Sequence, residues 1–159
     1  MKILERLKKI DIPDKKGWIE DALFGFDHIS NYILNKRNFN VLEVGCGLGI
    51  LLSLIKESSI KVELDGIEPF EQGFNRLKIK EPLIDSNINI TYSNFENFIP
   101  LKQYDIIYSV NVFEHLTNWK LFLLNMHKWL KKDGICVILC PNYAFPYESH
   151  FKIPVIINK

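Results

Sequence analysis

The chain has 159 residues, of which 47% are hydrophobic and 25% charged, and its formal net charge is +1. These values suit one compact domain with its own core, so we predict a single domain over residues 1–159. There is no basic stripe, which gives no support to nucleic-acid binding through phosphate neutralisation. We find neither the apolar stretch of a signal peptide nor an apolar run as long as a membrane-spanning helix, so no membrane association is predicted.

The chain contains three cysteines, Cys46, Cys136 and Cys140. An odd number without a paired framework predicts reduced thiols and a cytoplasmic protein. Cys136 and Cys140 would lie on the same side of a predicted strand, and we interpret both as small core residues.

Two helices are predicted at the start of the chain, within an amino-terminal segment over residues 1–38. Apolar residues recur at helical spacing from Ile3 to Ile10. Asp14 is a plausible N-cap for a second helix, which we expect to end at about Lys36 or Arg37.

Strands and helices alternate through the rest of the chain. The predicted strands are 41–44, 61–67, 88–92, 104–110 and 135–140. The predicted helices between them are 50–57, 72–80 and one that begins after Thr117 or Asn118 and ends at Leu130. A turn is expected at Asp133 and Gly134. This alternation predicts an α/β fold of the doubly wound class, with a parallel sheet covered on both faces.

The motif that organises the chain is Gly45-x-Gly47-x-Gly49, between the first strand and the next helix. Glycines let the main chain adopt conformations that side chains forbid and approach a ligand closely. The helix that follows presents free N–H groups at its start. Glu43 lies inside the apolar strand, where an acid is costly unless it has a partner. Because ligands bind at the carboxyl ends of parallel strands, we predict a small-molecule site at this turn.

Polar residues after the next two strands extend the predicted site. Glu68 follows the second strand, where a carboxylate can accept both hydroxyls of a ribose. Asn94 follows the third strand. A dinucleotide fingerprint needs Gly-x-Gly-x-x-Gly, and Ile50 in place of its third glycine argues against a nicotinamide-dependent oxidoreductase. The tighter spacing, with Glu43 before it, suits a ligand that carries an ammonium and a carboxylate.

Four stretches together resemble the class I S-adenosylmethionine-dependent methyltransferases: Val41–Gly49, Gly66–Glu68, Asn94–Glu96 and Asp105–Leu116. The resemblance covers about residues 39–145 and is nearest to the small-molecule branch, with Glu-His-Leu after the fourth strand. It implies a Rossmann-like, five-stranded sheet in the order 3-2-1-4-5. The family's C-terminal antiparallel hairpin has no counterpart in this sequence. Either residues 155–157 or a second copy of the chain would then cover the fifth-strand edge, or the chain is a fragment.

The resemblance implies S-adenosylmethionine as cofactor and a core for binding it over residues 39–142. The residues implied for binding are Glu43, Gly45, Cys46, Gly47, Gly49, Glu68, Pro69, Phe70, Asn94, Phe95, Asn111 and Val112. Of these, Glu43 would help to hold the methionine ammonium and Glu68 would take the ribose hydroxyls. Pro69 and Phe70 would flank the adenine, and Asn94 would face its amino group. The glycines would line the methionine part, and the last two residues would border the methyl-donor end.

The implied reaction is methyl transfer to a small molecule, with O-methylation of a sugar or related metabolite favoured over N- or C-methylation. The protein must place the acceptor, exclude water and sometimes remove a proton, and no metal ion is required. His115, at the mouth of the crevice, is the candidate catalytic base. The alternative, that His115 is a structural residue capping the next helix, stays open. His150 is a second candidate base.

The tail over residues 143–159 is predicted to lie over the site. Its aromatic residues resemble a substrate-covering segment of some family members, and simple packing over the sheet edge is the alternative interpretation. The alternative function is a truncated or non-catalytic domain that binds S-adenosylmethionine without turning it over.

Overall fold

The structure, a computed structural model, describes residues 2–33, 36–58, 61–69, 87–141, 147–148 and 153–154, the last two pairs by their main chain alone. The predicted helix over 72–80 lies outside these residues. So do Phe70, His150 and most of the predicted tail.

The helices and strands follow in the order that the sequence predicts. The helices are α1 (Lys2–Lys8), α2 (Lys15–Ile33), α3 (Ile50–Ser58) and α4 (Trp119–Trp129), with a 3₁₀ turn at Phe113–His115. The strands are β1 (Asn40–Val44), β2 (Glu63–Glu68), β3 (Ile88–Tyr92), β4 (Tyr104–Val110), β5 (Leu130–Leu139), β6 (Tyr147–Glu148) and β7 (Ile153–Pro154). None of the described helices is both long and apolar enough to cross a membrane.

The first five strands form one parallel sheet in the order β3-β2-β1-β4-β5. This confirms the predicted Rossmann-like arrangement. β6 and β7 form a separate antiparallel pair. Within the described ranges β5 pairs with β4 alone, and the segment 155–157, predicted to pair on the β5 edge, lies outside them.

Both faces of the sheet are covered by apolar side chains. Consecutive residues of a strand point to opposite faces, and in β1 Val41 belongs to one buried cluster while Leu42 belongs to the other. The first cluster packs against α1, α2 and α3, and the second packs against α4 through Phe122 and Met126. The sheet is therefore buried on two sides, as the doubly wound class requires.

Two predictions about the fifth strand are wrong. The strand begins at Leu130, so Asp133 and Gly134 lie inside it rather than in a turn. The register with β4 shifts in this stretch, and the extra residues of β5 bulge out without ending the strand. Cys136 and Cys140 are exposed rather than core residues, because Cys136 lies on an edge strand of the described sheet and Cys140 lies just beyond its end. The cytoplasmic location inferred from the cysteines stays a prediction.

The second helix is described from Lys15 as far as Ile33. Lys36 and Arg37, at about which we predicted its end, are not helical, so the helix is slightly shorter than predicted. Asp14 does sit at its start, where its side-chain Oδ1 lies 3.4 Å from the N–H nitrogen of Gly17. The glycine-rich turn that follows β1 is thus reached from α2 through one short connection and one strand.

Candidate active site

The turn between β1 and α3 depends on its three glycines. Gly45, Gly47 and Gly49 have φ values of +76°, +52° and +68°, in the left-handed region that side chains disfavour. A Cβ at Gly45 would lie 2.4 Å from Cγ2 of Val112. The turn therefore needs glycine both for its conformation and for the close approach of the segment that follows β4.

Hydrogen bonds attach this turn to the end of β2. The N–H groups of Gly45 and Cys46 donate to the carbonyl oxygen of Ile67 at 2.8 and 3.1 Å. The N–H of Gly47 donates to Oε2 of Glu68 at 2.9 Å. The glycine turn and the carboxylate of the neighbouring strand thus lie side by side, as the sequence predicts, and Glu68 is the last residue of β2 rather than a residue of the following loop. Pro69, next along the chain, is half-buried.

Glu43 is a buried acid whose partner comes from the neighbouring strand. Glu43 is only 4% exposed, and its Oε2 accepts a hydrogen bond of 3.1 Å from the hydroxyl of Tyr108 on β4. Burial raises the pKa of Glu43 well above its ordinary value, the Tyr108 hydrogen bond opposes this, and the charge of Glu68 adds to it. Burial and the same two carboxyl groups raise the pKa of the Cys46 thiol, so this cysteine stays protonated and unreactive.

The loop after β3 brings Asn94 and Phe95 to the same end of the sheet. Ser93 N–H donates to the carbonyl oxygen of Glu68 at 3.1 Å, which ties this loop to β2. Asn94 is exposed, and its Oδ1 accepts from the N–H of Asn97 at 3.1 Å. The ring of Phe95 is buried in the cluster beneath α4. Only the main chain of Phe95 is therefore available to a ligand.

The residues after β4 lie beside the glycine turn. Asn111 has a φ of +53°, an unusual value for a residue other than glycine. Its N–H donates to the carbonyl oxygen of Leu139, and its Nδ2 donates to Oδ1 of Asp21 in α2 at 3.2 Å. Val112 is the residue that contacts Gly45. Both residues predicted to border the methyl-donor end are thus held in place by contacts from other parts of the fold.

His115 lies on the 3₁₀ turn with its side chain 54% exposed. Its Nε2 is 3.9 Å from Oε1 of Glu114, whose side chain is only 2% exposed. Among the residues that the structure describes, none forms a hydrogen bond with either carboxylate oxygen of Glu114. α4 is capped by Asn118, whose side-chain oxygen accepts from the N–H of Leu121 at 3.2 Å. The alternative in which His115 caps this helix is therefore wrong.

Three residues of the site were not predicted from the sequence. Tyr108 could have been found, because aligning β1 with β4 in a parallel sheet can place a tyrosine next to Glu43. Glu114 carried a weaker signal, an acid between an aromatic residue and a histidine. Asp21 carried none, since its contact depends on how α2 packs over the sheet.

The fold and the glycine turn define a doubly wound α/β protein whose ligand crevice lies at the carboxyl ends of its strands. A family model described as a methyltransferase domain matches residues 15–153. The chain belongs to this methyltransferase-domain family.

Curated relatives extend the comparison beyond the family model. An uncharacterized protein of Mycobacterium tuberculosis strain H37Rv is 33% identical over 123 residues, which are 75% of this chain and 41% of that protein. The ubiquinone biosynthesis O-methyltransferase of Rickettsia typhi is 26% identical over 147 residues, which are 84% of this chain and 59% of that enzyme. The chain therefore spans less than two thirds of the length of these relatives.

Solved structures share the fold. The plantazolicin methyltransferase BpumL, in complex with a monoazolic desmethylPZN analog and SAH, has a TM-score of 0.59 at 19% identity, over 91% of this chain and 64% of that chain. Coclaurine N-methyltransferase, bound to N-methylheliamine and SAH, has a TM-score of 0.57 at 19% identity, over 73% of this chain and 35% of that chain. At this level of identity the likeness concerns the fold alone.

Proposed function

We propose that this domain binds S-adenosylmethionine and transfers its methyl group to a hydroxyl group of a small molecule, such as a sugar or a related metabolite. The observation that carries the proposal is the junction of the glycine turn with Glu68, where the carboxylate lies 2.9 Å from the N–H nitrogen of Gly47. Family membership supports the reaction class, and the SAH in both solved relatives supports the cofactor.

The residues around the turn suit this ligand in shape and charge. The main chain at Gly45 leaves no room for a side chain, so a ligand there would meet backbone. Two carboxyl groups that are almost fully buried, Glu43 and Glu68, lie near the turn, where both raise the pKa of the Cys46 thiol. Carboxylates in such surroundings are good acceptors for an ammonium group and for paired hydroxyls. We therefore assign the ammonium to Glu43 and the ribose hydroxyls to Glu68.

The acceptor side of the proposal rests on His115 and Glu114. When bound, S-adenosylmethionine supplies a methyl group already activated by its sulfonium. The chain has to orient the acceptor hydroxyl and take its proton as the new oxygen–carbon bond forms and the sulfur–carbon bond breaks. His115 would accept that proton. The Glu114 carboxylate, 3.9 Å from Nε2, would stabilise the imidazolium that results.

Calorimetric titration of the protein with S-adenosylmethionine, its demethylated product and NAD tests the cofactor assignment. We expect binding of the first two ligands. Glu68→Ala should weaken that binding by about 1–3 kcal/mol, because charge-assisted hydrogen bonds are lost. Glu63→Ala is the matched control, an exposed acid at the other end of the same strand, and should leave the affinity unchanged. Tight NAD binding without binding of S-adenosylmethionine would overturn the proposal.

Turnover assays with a panel of hydroxyl-bearing acceptors test the reaction. His115→Ala should lower kcat by about 10²–10⁴-fold with the cofactor affinity preserved. His127→Ala, an exposed histidine on α4, is the control and should behave as the wild type. Cofactor binding without turnover of any acceptor would favour the alternative, a non-catalytic binding domain.

The β5 edge supports a further contact, with a second copy of the chain. Within the described ranges this strand pairs on one side only, and its residues Ile135 and Cys136 are exposed. An unpaired apolar strand edge favours pairing with another strand. Sedimentation over a range of concentrations tests this contact, and a monomer at every concentration would contradict it.

A further inference from the structure

We propose that Tyr108 is a positioning residue for cofactor binding, which acts through its hydrogen bond to the carboxyl group of Glu43 beneath the glycine turn. This inference rests on the proposed function, since it takes Glu43 as the acceptor for a cationic group of the cofactor. It adds a residue on a neighbouring strand that touches no ligand itself.

The register of the sheet sets up this contact. Glu43 of β1 lies between Gly66 of β2 and Tyr108 of β4. Paired residues of neighbouring parallel strands project to the same face of a sheet, so the tyrosine side chain runs alongside the acid. The two oxygens are 3.1 Å apart, and Tyr108 is fully buried. The hydroxyl therefore has a fixed position from which to hold the carboxyl group.

The opposite flank of Glu43 supplies no side chain at all. Gly66 has no room for one, because a Cβ there would lie 2.7 Å from Sγ of Cys46 and 2.8 Å from Cδ1 of Leu52. Of the two residues that pair with Glu43 in the sheet, only Tyr108, on the β4 side, gives its carboxyl group a hydrogen bond. Removing the hydroxyl of Tyr108 would leave a buried carboxyl group without that partner, which is costly.

The charges around Glu43 explain why its orientation matters. The groups that act on it are Tyr108 on β4 and Glu68 at the end of β2. Burial and Glu68 raise the pKa of Glu43, and the donated hydrogen bond from Tyr108 lowers it. The hydroxyl therefore favours the charged form that would bind an ammonium group. As a result, affinity for a cationic ligand should rise with pH as Glu43 loses its proton, and the rise should move to higher pH without the hydroxyl.

The test is calorimetric titration with S-adenosylmethionine and its demethylated product across roughly pH 5–7, below the ordinary pKa of an α-amino group, so that the ligand's amino group stays largely charged. In Tyr108→Phe we expect affinity at neutral pH to fall roughly three- to tenfold, as for the loss of one hydrogen bond. The pH-dependent rise in affinity should also shift upward. Tyr104→Phe is the matched control, a buried tyrosine on the same strand whose hydroxyl donates to Asp65 instead, and it should keep the wild-type pH profile.

A double-mutant cycle separates positioning from general packing. In a Glu43→Gln background, whose affinity should no longer vary with pH through this group, Tyr108→Phe should have little further effect. Equal weakening in both backgrounds would overturn the inference. If Tyr108→Phe does not fold, Glu43→Asp serves in its place, because the shorter side chain withdraws the carboxyl group from the hydroxyl and should give the same upward shift.

The outcomes also separate this inference from the proposed function. Wild-type protein that binds neither ligand contradicts the proposed function. Wild-type protein that binds both, with affinity and pH profile unchanged in Tyr108→Phe, contradicts only the role of Tyr108.

Discussion

Acidic side chains lie at both ends of the parallel sheet, and the two ends differ in what those side chains contact. At the amino end, Lys102 Nζ lies 2.9 Å from Oε2 of Glu63 and 3.0 Å from Oδ2 of Asp65. Lys131 Nζ lies 2.8 Å from Oδ2 of Asp105. Each of these three acids therefore forms an ion pair with a lysine of the same chain.

At the carboxyl end, two buried acids differ from these. In the part of the chain that the structure describes, neither Glu43 nor Glu114 pairs with a lysine or arginine, and both are almost fully buried. Glu43 has a hydroxyl partner, and the carboxylate oxygens of Glu114 have no hydrogen bond from any described residue. A buried acid without a cation partner reduces stability and provides an acceptor for a cation or hydroxyl from outside. The amino end thus uses its acids to hold the fold, whereas under the proposed function Glu43 and Glu114 serve the ligand and the reaction.

The largest expected loss of stability comes from adding a side chain to the glycine turn at the carboxyl end of the sheet. Gly45→Ala should lower the free energy of unfolding by about 3 kcal/mol, because the left-handed φ and the contact with Val112 both oppose a Cβ. Urea denaturation measures the change. Gly17→Ala in α2 is the control, since the atoms nearest to its Cβ belong to the exposed side chain of Asp14, which can move aside, and it should cost much less. Equal losses in the two variants would show that the turn does not need its glycine.

A smaller loss is expected from opening an ion pair at the amino end. Asp105→Ala removes the acceptor for Lys131 and for the N–H of Asn40, which donates to it at 2.8 Å. We expect a loss of about 2 kcal/mol, because a partly buried N–H is left without a partner. Lys102→Met, which opens the neighbouring pairs near the surface, should cost less than about 1 kcal/mol. Urea denaturation of both variants gives the comparison, and a reversed order would contradict this account of the amino end.

The sequence predicts the sheet well because its strands have recognisable patterns and are bounded by turn residues. β3 and β4 have the predicted limits, since β3 alternates apolar and polar residues and β4 is a largely apolar, buried run. The glycine turn and Glu68 are predictable for a related reason, because each depends on local residue types whose place in the sheet follows from the strand order.

The errors arise where contacts with distant residues decide the outcome. Cys136 and Cys140 fit the pattern of core residues, and their exposure depends on which strand lies beyond β5. The extension of β5 back to Leu130 depends on a bulge in its pairing with β4, which local preference does not encode. The isolation of Glu114 has the same origin, because whether a buried acid meets a cation is fixed by the packing of other segments.

The smallest expected change in the free energy of unfolding comes from replacing one acid at each end of the sheet with glutamine. The sign of this change should differ between the two ends. The pKa of Glu43 is higher in the folded protein than its ordinary value, so the folded state binds the extra proton and wild-type stability falls as pH rises through the folded pKa. Glu43→Gln removes this loss. In the free protein the variant should match the wild type at low pH and become more stable as pH rises, by less than the roughly 2 kcal/mol expected at Asp105.

Glu63→Gln is the matched substitution at the amino end of the sheet. The hydrogen bond from Lys102 lowers the pKa of Glu63 below its ordinary value, so its contribution is present above the unfolded pKa and lost as pH falls through the folded one. This variant should therefore lose a little stability at neutral pH and approach the wild type in acid. Denaturation curves from about pH 2.5 to 9 cover both groups, because the lower limit lies well under the ordinary pKa of a glutamate. If the two variants change in the same direction at neutral pH, the acids at the two ends of the sheet are not held in the different ways that their contacts indicate.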